Sequence, residues 1–329
     1  MSPGRALITG GCGYLGTSLT HRMANRGWQI TRVRRRDTTC PERIQLVTEL
    51  ADDLADPTVW ERLAAGADVI IHLAAQTSSY SANQDPFADA AINVRPMLAL
   101  LEWCRHQDRK PFILFASTVT IAGLTDTLPV DSNYPARPLT TYDLHKWIAE
   151  EYLKLYIRLG HARGTILRLA NVYGPGCRSQ RADRGILNLM IRRALAGEPL
   201  TLFGDGQSIR DYIYIADVAQ AFEMAVTHRQ NTNGKHWIIG SGTGHTICDA
   251  FKLIADRVSR KTGISVLVDR VPEPENASPI EHRNFVANVG EFSAATGWTP
   301  SISLQRGIDL TIDSVLAERD RRPTTVDTL

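Results

Sequence analysis

The chain has 329 residues, of which 43% are hydrophobic and 22% are charged, with a formal net charge of +2. That length is enough for a sizeable core, and the near-neutral charge argues against a nucleic-acid partner. No run of 18 apolar residues predicts a membrane span, and no signal peptide precedes the first predicted strand at Arg5. We therefore expect a cytoplasmic protein with neither a nucleic-acid nor a membrane partner.

The first half of the chain alternates short apolar runs with amphipathic stretches. The apolar runs predict strands at Arg5–Thr9, Gln29–Val33, Ile44–Val47, Asp68–Leu73, Pro111–Ala116 and Gly164–Leu169. The amphipathic stretches predict helices at Thr17–Arg26, Thr58–Ala64, Asp89–Arg105 and Tyr142–Leu159. This alternation predicts an α/β fold, in which helices cover both faces of a doubly wound parallel sheet of the Rossmann type.

After about residue 172 the pattern becomes irregular, with more glycine and proline. We expect a dinucleotide-binding domain over residues 1–172, to which residues 210–240 return. Residues 173–209 and 241–316 are expected to form a smaller substrate-binding lobe. Residues 317–329 are polar and rich in arginine, which predicts a loose tail.

Two segments are predicted to hold a dinucleotide. The stretch "ALITGGCGYLGTSL" places Gly10, Gly13 and Gly16 between a predicted strand and a predicted helix. Such a turn brings the positive end of a helix against a pyrophosphate. Asp53 and Leu54 follow the third predicted strand, where a pair contacting adenine is expected.

The stretch "RVRRRDT" at residues 32–38 follows the second predicted strand, where a carboxylate would hold the ribose hydroxyls of NAD. Arg34 stands about where that carboxylate is expected, with Arg35 and Arg36 beside it. A guanidinium pairs well with a 2′-phosphate, so the sequence favours NADP(H). The alternative is a solvated basic loop, with Asp37 serving NAD(H).

A catalytic constellation is predicted around "TTYDLHK". Tyr142 and Lys146 are four residues apart, which places them on one face of a helix. An ammonium near a phenol favours the phenolate, so Tyr142 could exchange a proton with an alcohol near neutral pH. Thr118 ends an upstream strand, at the ligand-binding edge of such a sheet. It is the candidate to hydrogen-bond the reacting oxygen, with Ser117 as the fallback.

The five cysteines are odd in number and scattered, without a CxxC spacing; they are Cys12, Cys40, Cys104, Cys177 and Cys248. This usage indicates a reducing compartment and argues against a zinc site or a disulfide framework. The histidines are dispersed and no carboxylate cluster has ligand spacing, so no metal site is predicted.

The sequence resembles the extended short-chain dehydrogenase/reductases, in the NAD-dependent epimerase/dehydratase group that acts on nucleotide sugars. The resemblance runs from Ala6 to about Ile308. It is carried by "TGGCGYLG", "VIIHLAAQ", "INVRPMLALLEWC", "STVTIAG", "YDLHK", "RLANVYGPG", "LTLFGDGQSIRDYIYIADVAQAF" and "TGWTPSISLQRGI".

The resemblance implies a role for each matching residue. It implies a catalytic triad of Thr118, Tyr142 and Lys146, the last two also contacting the cofactor. Further cofactor contacts are implied at Gly10, Gly13, Tyr14, Leu15, Gly16, Leu73, Ala74, Ala75 and Asn93. The substrate's nucleotide diphosphate is implied to meet Asn171, Asn188, Phe203 and Arg210. A homodimer formed through the Tyr142–Leu159 helix is implied as well.

The Arg210 guanidinium, a planar and always-charged fork, suits a diphosphate. The alternative for Arg210 is a structural ion pair with Asp211 or Asp217.

Three departures from the family's pattern narrow the reaction. Val119 and Thr120 stand where a 4,6-dehydratase has an acidic pair, and neither can drive elimination of water. No cysteine lies near Thr118 to suggest epimerisation at C3 and C5. Ser278 stands about where an arginine often grips the diphosphate, and Arg283 is the candidate to replace it.

Three functions remain. The favoured one is NADPH-dependent reduction of a nucleotide-linked 4-keto-6-deoxyhexose at C4, because cellular NADP(H) is mostly reduced. The alternative is a nucleotide-sugar C4 epimerase that retains tightly held NAD. A non-catalytic NADP-sensing protein is disfavoured by the intact Thr118, Tyr142 and Lys146.

Overall fold

The computed structural model describes residues 3–40, 43–176, 185–275 and 277–320. The strands in these ranges are β1 (Arg5–Thr9), β2 (Gln29–Arg34), β3 (Val47–Ala51), β4 (Val69–His72), β5 (Phe112–Thr118), β6 (Arg163–Leu169), β7 (Asn171–Tyr173), β8 (Leu200–Phe203), β9 (Ile209–Tyr214), β10 (His236–Ile239), β11 (Gly244–Thr246) and β12 (Val268–Val271).

The helices in the same ranges are α1 (Tyr14–Ala24), α2 (Val59–Leu63), α3 (Ser79–Gln84), α4 (Pro86–Asn93), α5 (Arg95–Arg105), α6 (Thr141–Arg158), α7 (Ile186–Leu195), α8 (Ile215–Thr227), α9 (Arg229–Thr232), α10 (Ile247–Thr262), α11 (Gly290–Thr296) and α12 (Leu304–Asp320). Short 3-10 turns cover Val119–Ala122 and Pro279–His282. None of the helices described is long and apolar enough to cross a membrane.

Seven parallel strands form the main sheet, in the order β10-β6-β5-β4-β1-β2-β3. The predicted doubly wound sheet is therefore confirmed. The apolar strands β1, β4 and β5 are buried almost throughout because hydrophobic clusters cover both faces of the sheet. Chain order reverses between β1 and β4, and such a switch point opens a crevice at the carboxyl ends of the strands.

Two predicted elements have different bounds in the structure. The third strand was expected at Ile44–Val47 but runs from Val47 to Ala51, since Leu46 has a left-handed φ of 64° that precludes extended pairing before it. The expected helix Asp89–Arg105 is two helices, α4 and α5. Pro96 lies in the first turn of α5, where its missing N–H costs least, and it could not continue α4.

The first four residues of the predicted loose tail, 317–320, are helical. Helix α12 continues through Ala317 to Asp320, and the Arg319 side chain donates to the Leu195 carbonyl at 2.9 Å. Residues 321–329 lie outside the described residues, as does Cys177.

The second half of the chain builds two smaller sheets. One has the order β11-β9-β7, and the other pairs β12 with β8. Helices α7, α10 and α12 pack together over a shared apolar cluster. Strand β10 leaves this region and pairs with β6 in the main sheet, where the Trp237 indole donates to the Thr165 hydroxyl at 3.0 Å.

Candidate active site

The glycine turn after β1 is closed by contacts that allow no side chain. Gly10 has a φ of +65°, and a Cβ there would lie 2.9 Å from the Ala74 nitrogen. A Cβ on Gly16 would lie 2.3 Å from the Gly10 carbonyl oxygen. Gly13 is the residue preceding α1, so the N–H groups of the first turn face the crevice. This cradle fits a dinucleotide pyrophosphate.

Gly16→Ala is expected to destabilise the fold by about 1–3 kcal/mol, because the new methyl overpacks the turn, and to abolish cofactor binding. Gly160→Ala is a matched control: its φ is +75°, yet no atom lies within 4 Å of a Cβ there. It loses about 1–2 kcal/mol to backbone strain but retains the cofactor site. Thermal denaturation and cofactor titration measure the two effects, and equal cofactor affinity in both variants would contradict this prediction.

Tyr14 and Leu15, two other residues predicted to contact the cofactor, lie beside the turn and pack α1 against its neighbours. The Tyr14 hydroxyl donates to the Gly174 carbonyl at 3.1 Å, tying α1 to the loop after β7. Leu15 is half-buried and packs against two of the apolar clusters. Both residues fix the angle at which α1 leaves the turn.

The arginine run is engaged by its own loop. The Arg34 guanidinium donates to the Arg35 carbonyl at 3.1 Å and to the Thr38 carbonyl at 2.5 Å. Arg35 pairs with Asp37 at 3.4 Å, and both side chains are largely exposed. These contacts bind Arg34 to its own loop, at the end of the second strand where a phosphate contact was expected.

The two aspartates after β3 differ in burial and in their partners. Asp52 is buried and pairs with Arg36 at 3.6 Å and with Arg62. Asp53, the predicted adenine contact, is exposed and accepts from the Ala55 backbone N–H at 3.0 Å. Leu54 is buried, and its carbonyl accepts from the Trp60 indole at 3.2 Å.

Cys12 and Cys40 form a disulfide, with their Cα atoms 4.8 Å apart. The odd number and scatter of the cysteines argued against a disulfide framework, and this single pair was not expected. Strands β1 and β2 are neighbours, so the turn after β1 meets the loop after β2 although 28 residues separate the two cysteines. Cys104 and Cys248 are buried thiols. Within the described ranges, no three His, Cys, Asp or Glu side chains gather closely enough to hold a metal ion.

The Thr9 hydroxyl organises the other wall of the cofactor crevice. It accepts from the backbone N–H groups of Leu73 and Ala74, each at 3.2 Å, and bonds to His72 Nδ1 at 2.9 Å. Burial lowers the pKa of His72 to about 3, so its ring is neutral. Leu73, Ala74 and Ala75 are half-buried, and the backbone of the first two lies directly against Gly10. His72 thus serves the packing of this wall.

Asn93 belongs to a buried polar network beneath the catalytic helix. Its Nδ2 donates to the Gln76 carbonyl at 3.0 Å and to the Asp89 carboxylate at 2.9 Å. The other oxygen of Asp89 meets His145 Nδ1 at 2.7 Å. Since His145 directly precedes Lys146, this network sets the position of the helix face that carries the predicted triad.

Lys146 is buried on that face. Its Nζ lies 4.0 Å from the centre of the Phe115 ring, a cation–π contact. Burial lowers the pKa of Lys146 to about 7, opposed by the charges of Glu150 and Asp89. Glu150 is itself bound by Arg168 through two nitrogens, at 3.0 and 2.7 Å. Lys146 therefore changes charge near neutral pH.

Asp89→Asn is expected to lower the pKa of Lys146 further, because it removes a negative charge that favours the ammonium. The charged lysine is lost as pH rises through its pKa, so the alkaline limb of the activity profile moves to lower pH. Asp85→Asn is the control. Asp85 is the exposed N-cap of α4, the helix that contains Asp89, and asparagine caps a helix as well as aspartate does. An alkaline limb that coincides with that of the wild type would contradict this assignment.

A cavity of about 900 Å³ lies between the main sheet and the smaller lobe. Thr118, Thr120, Tyr142 and Asp143, from the segments around β5 and α6, line it. Asn171, Phe203, Arg210 and Arg283 line it as well. The phenyl ring of Phe203 is half-exposed at the mouth.

Two predicted site residues lie behind the walls of this cavity. Ser117 is buried and does not line the cavity, because neighbouring residues of a strand point to opposite faces. Asn188 is also buried, and its Oδ1 accepts from the Gly174 backbone N–H at 3.1 Å. It therefore supports the loop after β7.

Arg210 is buried and binds carbonyl groups. It donates to the carbonyls of Glu281, at 2.6 Å, and of Ile209, at 3.3 Å, and also to that of Arg283. Burial, together with the nearby charge of Arg283, lowers the pKa of Arg210 to about 9. Two adjacent guanidinium groups at a cavity wall favour an anionic ligand.

The two aspartates that could have paired with Arg210 are bound elsewhere. Asp211 accepts from the Ser241 backbone N–H at 2.6 Å and from that of Ala287 at 3.0 Å. Asp217 accepts from the Ser301 hydroxyl at 2.8 Å. Neither aspartate forms the structural ion pair considered from the sequence.

Ser278 and Arg283 occupy the segment where the family's arginine was missing. Ser278 is buried. The Arg283 guanidinium donates to the Ile280 carbonyl at 2.9 Å, and its buried Nε has no partner in the described part of the chain. Arg283 thus lies where it can replace the missing arginine at the cavity wall.

Comparisons with known proteins agree with this arrangement. The sequence model of the NAD dependent epimerase/dehydratase family matches residues 6–240. A putative UDP-glucose 4-epimerase of Methanocaldococcus jannaschii is 29% identical over 306 residues, which are 92% of this chain and 95% of that protein.

Solved structures give the same result. A UDP-glucose 4-epimerase of Thermotoga maritima with UDP-glucose has a TM-score of 0.86 at 26% identity, covering 96% of this chain and 99% of that one. The Thermus thermophilus UDP-glucose 4-epimerase complex with NAD has a TM-score of 0.82 at 28% identity, covering 94% and 98%. The chain belongs to the NAD dependent epimerase/dehydratase family.

Proposed function

We propose that this protein interconverts the C4 epimers of a nucleotide-linked hexose, with a nicotinamide dinucleotide held at the Gly10–Gly16 turn. The observation that carries the proposal is the cavity that Thr118, Tyr142 and the buried guanidinium of Arg210 line together. The names of the relatives support it, since the two solved structures are UDP-glucose 4-epimerases and the Methanocaldococcus jannaschii protein is named a putative one. The alternative reading of the sequence thus replaces the favoured ketoreductase.

A nicotinamide, when bound, would supply reversible hydride exchange at the sugar carbon. The chain's own residues supply the proton transfer and hold the substrate. Tyr142 takes the proton of the C4 hydroxyl and returns it, aided by the ammonium of Lys146. Arg210 and Arg283 hold the diphosphate while the sugar turns, and a cavity of about 900 Å³ leaves room for that turn.

NADPH-dependent reduction of a 4-keto sugar is the second candidate. The observation that favours it is the arginine run at the end of β2, whose Arg35 and Arg36 side chains are exposed. A ketoreductase consumes one NADPH for each sugar reduced, whereas an epimerase leaves the nicotinamide unchanged after each turnover.

The deciding experiment incubates the purified protein with UDP-glucose or UDP-galactose, together with NAD⁺ or NADP⁺. Sugar composition is followed by NMR and nicotinamide absorbance in parallel. We expect conversion in both directions towards one equilibrium mixture, without net absorbance change. If neither sugar is converted, while NADPH is consumed in proportion to an added nucleotide-linked 4-keto-6-deoxyhexose, the ketoreductase replaces our proposal.

We also infer a homodimer formed through α6. Leu144, Leu155 and Leu159 are among the exposed large apolar side chains. Spacings of eleven and four residues place them on one face of the helix. Such a leucine face is covered when two copies of the helix pack together.

A further inference from the structure

Asp143 is a buried carboxyl group that directly follows the predicted catalytic tyrosine. Its side chain is about 1% exposed, in the first turn of α6. One carboxyl oxygen accepts from the Thr140 hydroxyl at 2.7 Å, and the other accepts from the Thr120 hydroxyl. The Thr140 bond belongs to the helix cap, because the Thr140 oxygen also accepts from the Asp143 backbone N–H. The Thr120 bond is no part of that cap.

Thr120 connects Asp143 to the threonine at the reacting oxygen. The hydroxyl oxygens of Thr118 and Thr120 lie 2.7 Å apart. A hydroxyl has one hydrogen to donate, and an ionised carboxylate can only accept. Because Thr120 donates to Asp143, it must accept from Thr118. The single hydrogen of Thr118 is then directed away from the sugar.

We propose that Asp143, acting through the Thr120 hydroxyl, sets the direction in which Thr118 donates its hydrogen and is therefore a positioning residue for the C4 oxygen. This inference rests on the proposed epimerase function. With Asp143 ionised, Thr118 can only accept, so it competes with Tyr142 for the single hydrogen of the C4 hydroxyl. With Asp143 protonated, the hydrogen bonds reverse and Thr118 donates to the C4 oxygen. The hydrogen of the C4 hydroxyl is then left for Tyr142 to take, and the resulting C4 carbonyl keeps the hydrogen bond from Thr118.

Opposing influences act on the pKa of Asp143. Burial raises the pKa of Asp143, while the hydroxyls of Thr120 and Thr140 and the charge of Arg283 lower it. Arg283, from the segment after the second 3-10 turn, also lines the cavity. A nucleotide diphosphate bound beside Arg283 would weaken that influence, so substrate binding favours proton uptake by Asp143.

The test removes and then restores the connecting hydroxyl. Thr120→Val removes it, and Thr120→Ser restores it. We expect Thr120→Val to lower kcat about tenfold to a hundredfold, as for loss of a hydrogen bond to a charged group. KM for UDP-glucose should stay within about twofold, because the diphosphate contacts are intact. Thr120→Ser should recover most of the lost kcat, because serine keeps the hydroxyl.

A second measurement needs no substrate. The pKa of Asp143 is followed by carboxyl carbon NMR, and Asp143→Asn assigns the resonance. This pKa should rise in Thr120→Val, because the substitution removes a hydrogen bond that stabilises the charged carboxylate. Unchanged kcat and pKa in Thr120→Val, or a Thr120→Ser variant that is no more active than Thr120→Val, would overturn the inference. A wild-type protein that converts no nucleotide hexose would count against the proposed function. The NMR titration would still decide whether Asp143 is hydrogen-bonded through Thr120.

Discussion

Tyr142→Phe is expected to abolish epimerisation, with kcat lowered about 10²- to 10⁴-fold, the usual loss on removing a positioned acid–base group. The substitution deletes one oxygen in the lining of the cavity. Affinity for the nucleotide sugar should change little, because the residues proposed to hold the diphosphate are untouched. Initial rates with UDP-glucose and UDP-galactose, together with calorimetric binding of UDP-glucose, measure the two effects separately.

Tyr156→Phe provides the matched control on the same helix. The Tyr156 hydroxyl donates to Glu102 on α5, away from the cavity. Its loss should leave the rate unchanged. If Tyr142→Phe keeps more than about a tenth of the wild-type kcat, Tyr142 is not the acid–base group, and the hydroxyl of Thr118 would have to carry the proton.

Arg210→Met is expected to weaken binding of UDP and UDP-glucose about 10- to 150-fold. The expected loss corresponds to charge-assisted hydrogen bonds worth about 1.5–3 kcal/mol. The effect should appear in KM more than in kcat, because the diphosphate is held equally in the ground state and the transition state. Arg210→Lys should recover only part of the affinity, since an ammonium keeps the charge but not the planar fork.

Arg193→Met is the control for Arg210. Arg193 also lines the cavity, but it is tied to Glu198 at 3.1 Å and to Thr201 at 3.4 Å. Its removal should change UDP affinity little. Melting temperatures of both variants check for damage to the segment whose carbonyls Arg210 binds. Wild-type affinity for UDP in a folded Arg210→Met protein would show that the diphosphate is held elsewhere.

The parts of the site that follow from short-range spacing could be predicted from the sequence. The glycine turn lies between a strand and a helix that neighbour it in the chain. Tyr142 and Lys146 share a helix face whatever the rest of the fold does. Thr118 needed one further inference, that parallel strands end at the same edge of a sheet, and the observed strand order meets that condition.

The parts of the site that could not be predicted depend on contacts between segments far apart in the sequence. Thr120 and Asp143 are 23 residues apart, and their hydrogen bond requires that α6 cross the end of β5. Asp143 did carry a weak signal, since an acidic residue next to the catalytic tyrosine stands out in "YDLHK". Arg283 meets Arg210 across 73 residues, so its place could only be guessed from a gap in the family pattern.

The arginine run shows why composition alone does not identify a cofactor. The sequence predicts a basic ribose pocket, because several guanidinium groups follow β2. A guanidinium can also bind carbonyls of its own loop, as Arg34 does with those of Arg35 and Thr38. That choice depends on the loop's conformation, to which the Cys12–Cys40 bond contributes. The relatives' association with NAD favours the other cofactor.

The path of β10 has a consequence for any attempt to divide the molecule. This strand completes one edge of the main sheet, while β9 before it and β11 after it pair with each other in a different sheet. A fragment that stopped near residue 172 would leave β6 as a bare edge, prone to aggregation. We therefore expect neither half to be stable when produced alone. Grafting a relative's specificity onto this scaffold requires exchanging several separate stretches of chain at once.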